Sequence, residues 1–237
     1  MTAVMVLQAR MTSTRLPGKV LRVVKGRSLL EWVIRAGRQV KDIDTICVAI
    51  AMGEVNEPIV NEAKRLNAVV VRGSEDDVLD RFRLAAKVTS AHQIIRVTTD
   101  CPLTDPFICG EVLKLLKNSG ADYACNNEPY SFPHGLDCEA FTRDVLERAA
   151  ATATKASDRE HVTPWIKHHP SVNKSYLHGP GGKVAQWRWT VDTPEDLLFF
   201  ETISQHLGTN SPNWEEIVEI LELHPEYHEI NRKSRQR

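Results

Sequence analysis

Through its first half the chain alternates short apolar runs with longer segments in which apolar residues recur every three or four positions. The runs cover residues 3–9, 45–51, 68–71, 93–98 and 122–126 and read as strands. The segments 28–40, 57–66, 75–90 and 106–118 carry one apolar face and read as helices. Within the runs Val, Ile and Ala follow one another without polar alternation, the pattern of strands covered on both faces. Strand and helix in strict alternation predict an α/β fold, a mostly parallel twisted sheet with helices on both faces.

The second half departs from this rhythm. A loop over 129–135 is rich in Pro, aromatic residues and His. Segments 142–154, 157–167, 194–207 and 214–223 read as helices, and 183–191 as a strand on which Trp187 and Trp189 alternate. That Trp pair reads as core or dimer-interface packing. The tail 231–237 is basic and expected to fray. Without internal repeats or low-complexity linkers, the simplest organisation is one domain over 1–237. An acceptor and dimerisation region over about 127–190 lies within it.

With 237 residues the chain is long enough for one large α/β domain. A formal net charge of -1 excludes a strongly basic nucleic-acid binder and leaves room for a local basic pocket. None of the five cysteines forms a C-x-x-C pair, so they read as reduced thiols and not as a metal or disulfide site. No apolar stretch approaches membrane-spanning length, and a cytoplasmic location is expected.

Candidate chemistry begins where the first run ends. Gln8-Ala9-Arg10-Met11-Thr12-Ser13-Thr14-Arg15-Leu16-Pro17-Gly18-Lys19 is a loop with three cations, several hydroxyls, a proline and a glycine. Such a loop suits a polyphosphate, because backbone N–H groups and hydroxyls cradle oxygens while Arg and Lys neutralise charge. It is not a Walker A loop, since Ser13 and Val20 stand where Gly and Ser/Thr are required, and it is not G-x-G-x-x-G.

Ligands of open α/β sheets bind beyond the carboxyl ends of the strands. That rule selects Arg10, Arg72, Asp100 and Asp192. Neither aspartate has a capping task. Asp105 and Thr193, each followed by Pro, are the better helix caps, and Asp196 can complete a capping box with Thr193. Two spare carboxylates at strand ends are candidates for Mg²⁺, which takes oxygen ligands and shares them with phosphates.

The opening string resembles that of the cytidylyltransferase family named after spore-coat polysaccharide biosynthesis protein F, and is similar to the opening of the CMP-Kdo synthetases. Thr99-Asp100-Cys101-Pro102-Leu103, Thr190-Val191-Asp192-Thr193-Pro194-Glu195-Asp196, the string from Gly73 to Arg81, Gly135-Leu136-Asp137-Cys138-Glu139 and Arg159-Glu160-His161-Val162-Thr163-Pro164 extend the likeness over nearly the whole chain. Thr12 stands where the family often has glycine, and His134 where an acidic residue is expected.

The resemblance implies the nucleotide-diphospho-sugar transferase (GT-A-like) architecture. It also implies Mg²⁺-dependent transfer of CMP from CTP to an acidic sugar or related small acceptor, with pyrophosphate released, for surface polysaccharide biosynthesis. In that reading Leu7, Gln8 and Ala9 face the base, and Arg10, Ser13, Arg15 and Lys19 hold the triphosphate. Arg72, Asp77 and Asp80 assist at base or ribose, and Asp100 and Asp192 hold the metal. His134, Asp137, Glu139, Glu160 and His161 face the acceptor, with His161 either catalytic or structural. The expected partners are CTP and the acceptor, with a homodimer as an option and neither nucleic acid nor membrane. Two rivals differ in class. One is a GT-A-type glycosyltransferase that consumes a nucleotide-sugar through a D-x-D motif, for which Asp42-Ile43-Asp44 is the sole match. The other is a nucleotide-binding protein without turnover.

Overall fold

The computed structural model describes residues 2–209 and 211–234. Nine strands and nine α-helices follow one another among them. The strands are β1 (Ala3–Ala9), β2 (Val23–Val24), β3 (Arg27–Ser28), β4 (Thr45–Ala51), β5 (Val69–Gly73), β6 (Gln93–Thr98), β7 (Tyr123–Cys125), β8 (Glu139–Thr142) and β9 (Lys174–Tyr176). The helices are α1 (Leu29–Gly37), α2 (Glu57–Arg65), α3 (Val78–Val88), α4 (Pro106–Ser119), α5 (Arg143–Thr152), α6 (Ala156–His161), α7 (Pro164–His168), α8 (Pro194–Ser204) and α9 (Trp214–Leu223).

Seven strands form one sheet in the order β5-β4-β1-β6-β8-β7-β9. The first four are mutually parallel, and β8 alone runs against its neighbours. The order reverses direction at β1, whose right and left neighbours β6 and β4 both follow it in sequence, so the crevice beyond β1 and β6 is the topological switch point. Every residue of β1 except half-buried Gln8 is buried, which accounts for the unbroken apolar run. Met5 and Leu7 pack with α1, α2 and α4 on one face. Val4 and Val6 pack with α3 and α5 on the other. A third cluster sits apart from both, where Trp187, Trp189 and Val191 meet α8 and α9. Trp187 and Trp189 are therefore core residues.

Several elements differ from the sequence reading. Residues 183–191 do not form a strand. A 3-10 turn over Val184–Gln186 leads into extended chain that makes an isolated bridge, Arg188 to His134 in the loop before β8. Segment 157–167 is two short helices, parted at Val162 by a left-handed φ of 70°. The small ribbon β2–β3 and the strands β8 and β9 have no counterpart in the apolar pattern. The tail is not frayed over its described part: Asn231 is buried and its amide donates to Arg188 O and Asp196, each at 3.1 Å. Residues 235–237 lie outside the described residues. None of the described helices is long and apolar enough to cross a membrane.

Candidate active site

The loop after β1 is fastened at both ends. Met11 N–H donates to Asn56 Oδ1 at 2.9 Å, and Gly18 N–H returns to Met11 O at 3.0 Å. Gly18 sits at a φ of 68°, which costs glycine little and turns the chain into a 3-10 turn over Lys19–Leu21. Leu16 and Val20 are buried on either side of that turn, so Lys19 is delivered inward.

At the end of β6, Thr99 Oγ1 donates to Gln8 O at 3.0 Å and ties the two strand ends together. The carbonyl of Asp100 accepts from Val191 N–H at 2.7 Å and from Thr190 Oγ1 at 3.1 Å. Those two bonds bring the 190–192 segment against the sheet edge. The helices that follow are capped as their sequences require. Asp105 accepts from Phe107 and Ile108 N–H, and Thr193 forms a complete capping box with Asp196. Asp100 and Asp192 are thus left for another task.

Lys19 Nζ lies 2.9 Å from Asp100 Oδ2, 2.7 Å from Asp192 Oδ1 and 3.0 Å from Val191 O. Asp192 is also 3.2 Å from Arg15 and 2.7 Å from Arg188, whose guanidinium is shared with Asp196 at 3.1 Å. Burial pushes the Asp100 carboxyl up, but the Lys19 ammonium and a hydrogen bond from Thr98 outweigh it and hold the carboxyl at about 2. Burial draws Lys19 down, and the two carboxylates more than reverse this, leaving it above the ordinary lysine range.

These groups edge a cavity of about 270 Å³ at the switch point, lined also by Gln8, Ala9, Arg10, Ser13, Glu160 and His161. Arg10 lies 3.8 Å from Glu75 and 3.9 Å from Glu160. The donor set fits a hard divalent cation: two carboxylates supply oxygens beside a loop rich in cations and hydroxyls. Lys19 occupies one oxygen of each carboxylate, so it and a metal would share them. Among the described residues no group of three or more His, Cys, Asp or Glu forms a preassembled metal cage, so a metal would draw its remaining ligands from substrate or water.

Other sequence candidates lie elsewhere. Arg72 ends β5 but turns away, pairing with Glu57 and donating to Gly53 O at 3.0 Å. Asp77 caps α3 and is gripped by Arg159 Nε at 3.0 Å from both its oxygens. Asp80 pairs with Arg83 at 2.7 Å. None of the three lines the cavity. Leu7 is fully buried, so only its backbone is available. Glu139 is a buried hub, not a cavity residue. It pairs with Arg96 and with Lys167 at 3.1 Å, and accepts from Tyr123 Oη at 2.6 Å and Thr163 Oγ1 at 2.9 Å. Burial raises its carboxyl, and the two cations with the tyrosine bring it down to about 2. Through Arg96, 3.3 Å from Gln8 Oε1, and Thr163, next but one to His161, the hub supports two cavity-lining residues. His134 and Asp137 lie on a turn joined to Trp187 and Trp189, 3.8 Å from each other, with His134 Nδ1 3.3 Å from Arg188. The D-x-D pair lies at the amino ends of the strands, away from the cavity: Asp44 accepts from Ala3 N–H at 2.8 Å, and Asp42 pairs with Lys117 at 3.1 Å.

Arg81 and Arg188 went unselected in the sequence. Arg81 is buried in the cavity wall, and Arg188 orients Asp192 from behind. Arg81 stood inside one of the family-like strings, and Arg188 between the two tryptophans, so position was visible but direction was not.

The chain resembles known proteins over most of its length. Residues 4–218 match the model of a family described as cytidylyltransferase. An uncharacterised protein of Methanocaldococcus jannaschii is 33% identical over 98% of this chain and 95% of its own length. Spore coat polysaccharide biosynthesis protein SpsF of Bacillus subtilis is 31% identical over 93% of this chain and 94% of its own. Among solved structures, a cytidylyltransferase from Leptospira borgpetersenii superposes with a TM-score of 0.90 at 26% identity, over 96% of each chain.

Proposed function

The chain belongs to the cytidylyltransferase family, and from that premise we propose that it moves CMP from CTP to a hydroxyl of an acidic sugar or related small acceptor. Magnesium would be held at Asp100 and Asp192, and the product would serve surface polysaccharide biosynthesis, as the name of the Bacillus relative suggests. One observation carries the reading: Lys19, from the opening loop, meets two carboxylates from distant segments at the switch point, 2.9 and 2.7 Å away.

The acceptor oxygen attacks the α-phosphorus. A new O–P bond forms, the bond to the bridging oxygen breaks, pyrophosphate departs, and the hydroxyl proton passes to solvent. Arg10, Arg15, Ser13 and Lys19 bind the triphosphate and hold it in line, so that orientation and fixed positive charge lower the barrier. When bound, a divalent metal would supply Lewis-acid stabilisation of the phosphate oxygens. Arg188 fixes the Asp192 carboxylate, and Glu160 and His161 at the exposed mouth meet the acceptor together with the 127–190 region.

Pyrophosphate release tests this, with four triphosphates offered against acidic sugars. CTP with one sugar class should turn over, chelation should stop it, and Asp100→Asn should slow it by about a hundredfold or more. Turnover with a nucleotide-sugar and none with CTP, or full activity in Asp100→Asn, would overturn the proposal.

A further inference from the structure

The stretch from Pro225 to Ser234 lies beyond residues 4–218, which match the family model, yet it reaches the back of the site. Tyr227 and Ile230 pack on the third core cluster, the His228 ring lies 4.5 Å from that of Trp187, and Ser234 Oγ is 3.1 Å from Thr193 Oγ1. So fastened, the stretch drives Asn231 inward until only 1% of it is exposed. Asn231 Nδ2 donates to Arg188 O and to Asp196 Oδ1, each at 3.1 Å, while its Oδ1 is buried without a partner. Leaving a buried acceptor bare costs free energy. A residue kept at that cost is kept for its two donor hydrogens.

Fully buried Asp196 is the junction between this stretch and the site. Its Oδ1 accepts from Arg188 Nε and Asn231 Nδ2, and its Oδ2 from Arg188 Nη2 and the N–H groups of Asp192 and Thr193, each at 3.1 Å. Arg188 Nη2 also donates to Asp192 Oδ2 at 2.7 Å, while Lys19 takes Asp192 Oδ1. Asn231 thus holds Arg188 at both ends, by its backbone carbonyl and through the carboxylate on which its guanidinium rests. Arg188 in turn sets the plane of the Asp192 carboxylate. Resting on the cytidylyltransfer reading above, we propose that Asn231 is a positioning residue: its two N–H bonds lock Arg188 and Asp196 so that Asp192 presents its carboxylate at the switch point. Groups behind a metal ligand fix its orientation in this way. The amide is required because both of its partners are acceptors. Aspartate, of the same shape, would set an oxygen against each of them and invert both contacts.

The test is Mn²⁺ binding by the full chain saturated with α,β-methylene CTP, which cannot release pyrophosphate. Mn²⁺ takes the same oxygen ligands as Mg²⁺ and its free form is read by electron paramagnetic resonance. Asn231→Asp should weaken Mn²⁺ binding about tenfold or more, the scale of losing a partner behind a metal ligand. Asn231→Ser, which offers one donor hydrogen in place of two, should fall between Asn231→Asp and wild type. In turnover both variants should need more metal for half activity, with KM for CTP at saturating metal unchanged. Tyr227→Ala loosens the same stretch without touching the bonds of Asn231, and should lower the urea midpoint while Mn²⁺ affinity stays put. Wild-type Mn²⁺ affinity in Asn231→Asp, or a loss in Tyr227→Ala as large as in Asn231→Asp, overturns the assignment. Should Asn231→Asp fail to fold, wild-type Mn²⁺ affinity in Asn231→Ser overturns it instead. If wild type binds neither the CTP analogue nor Mn²⁺, the cytidylyltransfer reading falls and this assignment with it, whereas binding that no Asn231 variant alters sinks this assignment alone.

Discussion

Replacing Lys19 by Met removes the cation shared by Asp100 and Asp192 and leaves the surroundings apolar and close in volume. Asp192 keeps Arg15 and Arg188, so the loss falls on Asp100. In the wild type the Asp100 carboxyl is held at about 2 against an ordinary 3.8. That difference, at about 1.4 kcal/mol per pH unit, is worth about 2 kcal/mol of folding free energy. The folded value is the lower one, so this contribution is complete above pH 3.8 and is lost as pH falls toward 2. By pH 3 about half of it remains. Lys19 works in the opposite sense. Its folded value lies above 10.5, so its contribution is complete below that pH and is lost as pH rises through the folded value. Without the ammonium, burial disfavours the charge of Asp100 and is opposed only by the hydrogen bonds from Thr98 and the backbone. Lys19→Met should therefore cost about 2–3 kcal/mol at pH 7, a shift of about 1 M in the urea midpoint. Urea unfolding of both proteins at pH 3, 5, 7 and 9 measures it. A difference below about 0.5 kcal/mol at pH 7, or one that stays constant from pH 7 to 3, refutes the reasoning.

Three further outcomes follow. Glu139→Gln should lower stability by about 3 kcal/mol, about 6–12 °C in Tm by thermal melt, because it leaves half-buried Arg96 and Lys167 without their buried carboxylate. The wild-type contribution of Glu139 is present above pH 4.5 and fades as pH falls toward 2, so the gap between the two should close in acid. In Gly135→Ala, the added Cβ would lie 2.7 Å from Thr190 N and Trp189 C, at a φ of 117°, and should cost a few kcal/mol by chemical denaturation. Asp77→Asn should lose about 1–2 kcal/mol through the weakened α3 cap and Arg159 pair while CTP affinity by calorimetry stays put. A tenfold loss of affinity with unchanged stability would instead return Asp77 to the nucleotide site.

What the sequence determined is what short-range physics governs. Strands Ala3–Ala9, Thr45–Ala51 and Gln93–Thr98 and helix Trp214–Leu223 have the bounds their apolar patterns predict, since each run is long enough to declare its period. The capping chemistry of Asp105 and Thr193 was equally legible, and by elimination it freed Asp100 and Asp192. The strand-end rule then placed Asp100 and the opening loop on one edge, whereas Asp192 follows no strand and is brought there by the bonds of Val191 and Thr190 to Asp100 O. Tertiary structure decided the rest, because the deciding partners are far along the chain. Glu-Ala-Phe-Thr at 139–142 does not read as a strand, yet β6 and β7 pair it on both sides and Arg96 and Lys167 accommodate its buried charge. Segment 183–191 reads as a strand and instead makes an isolated bridge to His134. At the site, sequence offered Arg72 by its place at a strand end, but Glu57 on α2 turns it outward, while the space beside Gly73 lets Arg81 into the cavity wall. A strand end fixes where a backbone stops. The direction of a long charged side chain is set by which counter-charge and which gap lie within its reach, and both are properties of the packed molecule.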